Sequence, residues 1–323
     1  MTLQVGLFVD LRNPGRWPRP PADHLARTLD VLSHAEQRGA DAVWATEHHF
    51  FADGYLGQPL TFAAAVAART TRLRIGTAVL LAPLQHPRHV AEQAALVDAV
   101  SRGRLELGLG PGYVDAEYTA FGAEMRRRFA ATEAAFIEVR RLLREPTAGP
   151  APVQQPIPMW LGYQGPKNAE RAGRLGAGLL TLNRRSLEPY LAGLAATGLP
   201  PRMGGSVDIV VSADPESAWA RIRPHYAHQL ETYLHAHTPG TRLPDHALDG
   251  RLGRSRPEGL PVRLAVLTPD EAVTEIAGRV SGMPAQHVYT WLSVAGMPDD
   301  LVDEHVELLF ATVAPRLRDL PGA

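Results

Sequence analysis

The feature that most constrains this chain is an alternation repeated along nearly its whole length: a short apolar run, a turn, then a longer helix-like stretch. "LQVGLFV" (3–9) reads as a strand, and residues 21–38, opening after Pro20-Pro21, read as a helix. "DAVWAT" (41–46) precedes the helical "PLTFAAAVAART", and "LRIGTAVLL" (73–81) precedes a helix over 87–102. "GRLELGLG" (103–110) leads to a helix near 126–144, and "IPMWLG" (157–162) to one over 167–175. "GAGLLTL" (176–182), "SVDIVVS" (206–212) and "HVYTWLS" (287–293) bring the strands to eight. Strands separated by helices pair in parallel through crossover connections. Eight such units in 323 residues predict a closed (β/α)8 barrel, a TIM barrel, as a single domain over 1–323; a doubly wound open sheet is the alternative. Two stretches stand outside the repeat. The Pro/Gly punctuation around 199–206 reads as a loop, and 238–262 as a longer loop insertion between the seventh and eighth strands, placed to cover the barrel mouth.

Charge and cysteine content then exclude whole classes of function. With 33 Lys+Arg against 34 Asp+Glu, no global field recruits nucleic acid or an anionic membrane. Cysteine is absent, which removes disulfides, thiolate nucleophiles and thiolate metal sites together and fits a reducing cytoplasm. The N-terminus lacks the basic-then-apolar pattern of a signal peptide, and no apolar run is long enough for a membrane span. The expectation is a cytoplasmic protein with no membrane and no nucleic-acid partner.

In a barrel, functional groups gather where strands end. The first strand ends at Asp10, the second at Glu47-His48-His49, the third near Thr77-Ala78-Val79; Asn183 and Trp291 mark later ends. Adjacent residues of an extended segment point oppositely, so at most one of the two imidazoles faces a pocket. Glu-His-His lacks the helical spacing that sets two histidines on one face, which argues against zinc. "LGYQGPKNAERAG" (161–173) reads as a strand, a Gly-rich turn and a helix start, a place where backbone N–H groups favour an anion. Gly162 and Gly165 would admit a phosphate, with Gln164, Asn168 and Lys167 as further donors; an ordinary β/α turn is the plainer reading. On the helix near 215–237, His225, His228 and His235 read as a partly exposed face rather than a metal cluster.

Together "VWATEHHFFADGYLGQPL", "LRIGTAVLLAPLQHPRHVAEQAALVDAVSRGRLELGLGPG", "EYTAFG" and "GMPDDLVDEHVELLFATVAPRL" resemble, in order and spacing, the bacterial luciferase-like flavin-dependent monooxygenase family. The resemblance covers nearly the whole chain and is strongest over 40–125. It implies a barrel that binds reduced FMN at its C-terminal mouth and reacts it with oxygen. A separate flavin reductase would supply the reduced FMN, and a small organic substrate would be hydroxylated, epoxidised or oxidised at a carbonyl. His48 takes the place of the family's catalytic histidine, with Glu47 beside it to orient it or fix its tautomer. Thr77, Ala78 and Val79 match the strand against the flavin ring, with a non-prolyl cis bond implied between Ala78 and Val79. Gln164, Gly165 and Asn168 match the phosphate clamp, with Gly162 in the same turn. Gly110 and Pro111 stand where luciferase has a cysteine and a phosphate-binding arginine. A homodimer is the family-like expectation. A deazaflavin-dependent hydride-transfer oxidoreductase and a non-catalytic flavin-binding protein of the same fold are the alternatives.

Overall fold

The computed structural model describes residues 2–145, 150–238, 240, 243, 248 and 264–318. Proline sets the rhythm of the helices. Pro21, Pro59, Pro87, Pro166, Pro215 and Pro269 each open a helix, where a fixed φ suits the first turn and the missing N–H costs nothing. Between the helices run eight barrel strands: β1 (Gln4–Val9), β2 (Ala42–Ala45), β3 (Arg74–Thr77), β4 (Leu105–Gly110), β5 (Met159–Leu161), β6 (Gly178–Leu180), β7 (Met203–Ser206) and β8 (Ala285–Trp291). All pair in parallel and in chain order. β8 returns to β1 with Gln4 opposite His287 and Phe8 opposite Trp291, while Ile75 opposite Leu105 joins β3 to β4. The barrel is closed, and the open-sheet alternative is excluded.

Period-two alternation sorts the side chains. Val5, Leu7 and Val9 of β1 face the helical shell, as do Leu105, Leu107 and Leu109 of β4. Inside, Trp44, Trp160, Leu180 and Tyr289 form a second cluster, with Phe8, Ala78 and Val79 packed on it. Glycines opposite the tryptophans make this possible. A Cβ on Gly76 would lie 2.2 Å from the Trp44 ring, and one on Gly178 would lie 2.2 Å from Trp160. Below the tryptophans, buried Glu106 accepts from Trp160 Nε1 at 2.7 Å and from Arg74 Nε at 2.6 Å.

Two strand expectations need correction. The run 73–81 is interrupted: after Thr77 the Ala78–Val79 peptide is cis, as the resemblance implies, and pairing resumes only at Leu80–Leu81. The seventh barrel strand is "MGGS", not "SVDIVVS". Gly204 and Gly205 fit against His287 and Leu182, where a Cβ would approach to 3.0 and 3.1 Å. Ile209–Val211 instead pairs with Ala265–Leu267 in a separate two-stranded parallel sheet. Between β7 and β8 the chain also contains the helices Pro215–His237 and Pro269–Val280. The loop expected over 238–262 falls largely outside the described residues. No helix among the described residues is long and apolar enough to cross a membrane.

Candidate active site

Two groups of polar residues gather at the C-terminal ends of the strands. The first is built on the β2 end. His48 and His49 point apart, as an extended backbone requires. His48 Nδ1 lies 2.9 Å from Glu117 Oε1, and the same oxygen accepts the His49 backbone N–H at 2.7 Å. An oxygen already accepting a backbone N–H acts as an acceptor, so Nδ1 carries the proton and Nε2 is the nitrogen left for chemistry. Glu117 is fully buried on the short helix Asp115–Ala120, and its Oε2 has no hydrogen-bond partner among the described residues. Phe51, Tyr55 and Tyr113 surround the His48 ring at centroid distances of 4.9, 5.0 and 5.1 Å, with Tyr233 at 6.1 Å.

Glu47 does not touch His48. Its Oε1 meets His49 Nε2 at 3.0 Å and Gln85 Nε2 at 3.2 Å, and its Oε2 accepts Leu81 N–H at 2.7 Å. The carboxylate expected to orient His48 therefore anchors the segment just past the cis bond. The orienting role falls to Glu117, which sequence reading missed. Its one signal was a glutamate inside "EYTAFG", 69 residues from its partner.

Beneath this corner Arg12 is fully buried. Its Nε meets Asp10 at 3.1 Å, and its Nη1 meets Asp53 at 2.5 Å and Thr232 Oγ1 at 2.6 Å. Its guanidinium carbon lies 4.6 and 4.5 Å from the rings of Tyr55 and Tyr233, whose hydroxyls are 3.1 Å apart. Burial pushes the Asp10 carboxyl up to about 6 despite Arg12. Burial alone would also raise Asp53, but His228 and Arg12 bring it below its usual value. This ion cluster fastens the helix Pro215–His237 over the loop that carries His48. Its histidines take separate partners: His225 stacks on Trp17 at 3.7 Å, His228 bonds Asp53 at 3.0 Å, and His235 accepts from Gly240 N–H at 3.2 Å. Among the described residues no group of histidines and carboxylates could hold a metal ion.

The second part is a cavity of about 680 Å³ over the ends of β5, β6 and β7. Phe8, Val79, Leu180 and Tyr289 give it apolar walls, and Gln164, Thr181, Asn183, Ser206, Arg184 and Arg279 give it a polar rim. Of the residues expected to bind cofactor, Ala78, Val79, Gly162 and Gln164 line it; Thr77, Gly110, Gly165 and Asn168 do not. Thr77 is buried, exchanging hydrogen bonds with Gly108 at 2.7 and 2.9 Å. Gly110 serves Val79 rather than a ligand: a Cβ there would lie 2.1 Å from Val79 Cγ2, and one on Gly162 would lie 2.4 Å from Val79 Cγ1. Gly165 precedes the helix Pro166–Arg174 at φ +80°, which favours glycine, with open space where a Cβ would stand. Asn168 turns its amide back to the Gln164 carbonyl at 3.0 Å, and Thr181 Oγ1 approaches Gln164 Oε1 at 3.3 Å. The volume falls in the range of small-molecule sites. Apolar walls with a cationic rim suit a flat aromatic ring system carrying an anionic tail, so the residues present fit a flavin.

A barrel with its polar groups and its cavity gathered at the C-terminal mouth has the layout of a barrel enzyme. The family follows from sequence comparison. Residues 3–293 match the model described as luciferase-like monooxygenase, and the chain belongs to that family, a family of oxidoreductases. It is 29% identical over 294 residues to limonene 1,2-monooxygenase of Rhodococcus erythropolis, covering 80% of this chain and 74% of the relative. It is 32% identical over 199 residues to 4-hydroxyprotoasukamycin monooxygenase of Streptomyces nodosus subsp. asukaensis, covering 58% of this chain and only about half (51%) of that protein. Among solved structures, monooxygenase RslO1 from Streptomyces bottropensis superposes with a TM-score of 0.82 at 24% identity, covering 97% of this chain and 99% of the other. The fold is shared, at TM-scores of 0.75 and 0.73 and identities of 17% and 18%, by the oxygenating constituent of 3,6-diketocamphane monooxygenase from Pseudomonas putida in complex with FMN and by an F420-dependent secondary alcohol dehydrogenase; each match covers 97% or more of both chains.

Proposed function

We propose that this protein is the oxygenating component of a two-component FMN-dependent monooxygenase, acting on a small organic substrate. The observation that carries the reading is the buried Glu117–His48 pair, with Nε2 free, inside an aromatic enclosure on a family barrel that also bears a flavin-sized cavity. Reduced flavin, when bound, supplies the electrons and the site of oxygen activation. Ala78, Val79 and Gly162 would hold its ring system, with Phe8 and Tyr289 as further apolar walls. His48 moves a proton at Nε2, and Glu117 fixes the tautomer and stabilises the ring when it is charged. Phe51, Tyr55, Tyr113 and Tyr233 keep water from that nitrogen. Glu47 holds Leu81 and with it the wall at Val79. A partner reductase, a homodimer and a cytoplasmic location belong to the same reading.

The test supplies reduced FMN from a separate reductase under ¹⁸O₂ and screens apolar alkenes, phenols and ketones. One ¹⁸O atom in product supports the reading. A second reading, deazaflavin-dependent hydride transfer, is favoured by Pro111 in place of the luciferase arginine; it predicts unlabelled product formed at the same rate without oxygen.

A further inference from the structure

A second cavity, of about 400 Å³, lies at the far end of the barrel from the mouth, where β5 begins. One side is the C-terminal end of the helix Arg128–Leu142 with the three residues after it; the other is the segment 151–159. None of its lining residues lines the mouth cavity. Its volume falls in the range of small-molecule sites. The floor is apolar: Ile157 and Met159 are 4% and 5% exposed, with Leu143, Pro152 and Pro156 beside them. One wall is fixed by Gln154, whose backbone N–H and side-chain amide donate to the two Asp98 oxygens at 2.8 and 2.7 Å, and whose Oε1 accepts from Arg74 at 3.1 Å. A wall held by its own bonds needs no ordering when a ligand arrives.

The charges around that floor are not balanced. Arg140, Arg144 and Glu145 line the cavity. Glu145 is bonded by Arg141, one turn earlier. Arg140 donates from Nη1 to the Leu175 carbonyl at 2.7 Å and lays its guanidinium carbon 5.0 Å from the Phe136 ring. Partial burial, and then the charge of Arg144, hold Arg140 below its ordinary value. The Arg144 guanidinium is exposed and makes neither a hydrogen bond nor an ion pair among the described residues. Two like charges over an apolar floor, with the one carboxylate beside them already paired, are relieved by an anion whose body is apolar. A guanidinium matches a carboxylate in two parallel hydrogen bonds. An inorganic anion would leave Ile157 and Met159 uncovered, and a neutral apolar molecule would leave the arginines unpaired.

We infer that this cavity is a second ligand site, for a soluble organic carboxylate with an apolar body. The carboxylate meets Arg144 and Arg140, and the body lies on Ile157 and Met159. The inference is independent of the flavin reading, since no residue of the mouth takes part.

The test is calorimetric titration of the full chain with three probes: sodium octanoate, octanol and sodium acetate. Wild type is expected to bind octanoate, with octanol and acetate each weaker by about tenfold or more, as a charged hydrogen bond and the burial of several methylenes require. Arg144→Glu should weaken octanoate by at least about fivefold and leave octanol as it was. Because Arg144 is exposed and unbonded, its loss leaves the packing intact. Ala151→Phe, which brings a ring into the cavity from its exposed rim, should weaken octanoate and octanol together. Arg184→Ala reports on binding in the mouth cavity instead, and should leave octanoate affinity as it was. Equal affinity for octanoate and octanol, with no effect of Arg144→Glu, would overturn the site. Octanoate binding lost in Arg184→Ala and kept in Arg144→Glu would put the acid at the mouth and overturn it as well. So would acetate binding as tight as octanoate binding, or no octanoate binding at millimolar concentrations.

Discussion

The two sides of the barrel mouth differ in how finished they are. On the β2–β4 side most polar atoms have protein partners: Glu117 Oε1 is shared by His48 and His49, and Glu47 by His49, Gln85 and Leu81. Arg12 is held by Asp10, Asp53 and two tyrosine rings, with its Nη2 buried and unpartnered among the described residues. On the β5–β7 side the rim is exposed, its arginines touch backbone carbonyls or one surface acid, and a cavity stands open. A buried group that handles protons must be held in one tautomer before substrate arrives, whereas a site that takes up a mobile cofactor must keep donors free for it. On the proposed function, rate belongs to the first side and cofactor affinity to the second.

That division can be broken most sharply at His48. His48→Ala should lower turnover by roughly 10²- to 10⁴-fold, the usual worth of a general acid–base, while reduced-flavin affinity changes by less than about threefold. A large loss of flavin binding would merge the two sides. Glu117→Gln should lower turnover by about ten- to a hundredfold, because a neutral amide is a weaker acceptor for the His48 Nδ1–H. Unchanged turnover with a lower melting temperature would reduce Glu117 to a structural residue.

The pH dependence of stability tests the framework beneath both sides. His305 is buried and neutral: Val211 N–H donates to Nδ1 at 2.9 Å, and Nε2 lies 3.1 Å from Thr290 Oγ1. Burial lowers it to about 4. Between its ordinary value of 6.5 and about 4 the unfolded chain binds the proton and the folded chain does not. Stability therefore falls as pH drops through that window, by at most about 3 kcal/mol from this group. Urea unfolding at pH 7 and pH 4.5 measures the fall, and His305→Gln should flatten it.

Smaller effects sharpen the boundary between the sides. Glu47→Gln should cost about 1–3 kcal/mol, because Leu81 N–H and His49 lose a charged acceptor, with the pH–rate profile unmoved. Gly162→Ala, whose Cβ would press Val79 from 2.4 Å, should cost about 1–3 kcal/mol of stability and weaken flavin binding more than turnover at saturation. If Gly162→Ala slowed saturated turnover and spared affinity, the assignment of the cavity would be reversed.

Much of the scaffold was legible because its signals are local. Proline at helix starts, apolar runs of strand length and the β/α rhythm all act within a few residues. The seventh strand was misplaced because "MGGS" carries turn composition; glycine is there for the approach of His287 and Leu182, a tertiary demand no local pattern shows. At the candidate site, the resemblance pointed to His48, but the buried carboxylate that bonds it gave no such signal. Glu117 becomes a buried acid only once the turn after β4 folds over the β2 end. Glu47 was paired with His48 by adjacency, and the strand geometry that turns neighbours apart sends it to Leu81. Thr77 and Gly110 matched the right segment of the family pattern, but they serve the wall behind Val79 rather than its face. Arg184 and Arg279 lie 95 residues apart (279 − 184), in segments that resemble surface turns and helix faces until the barrel closes.

The account stands most directly on one measurement: anaerobic titration of the wild-type protein with reduced FMN and, in parallel, with a reduced deazaflavin coenzyme, each followed by rapid mixing with oxygenated buffer. The account predicts preferential binding of reduced FMN and protein-dependent oxygen uptake with a transient absorbance that free FMN does not give. Preferential binding of the deazaflavin, with no uptake of oxygen, would contradict it and assign the barrel to hydride transfer.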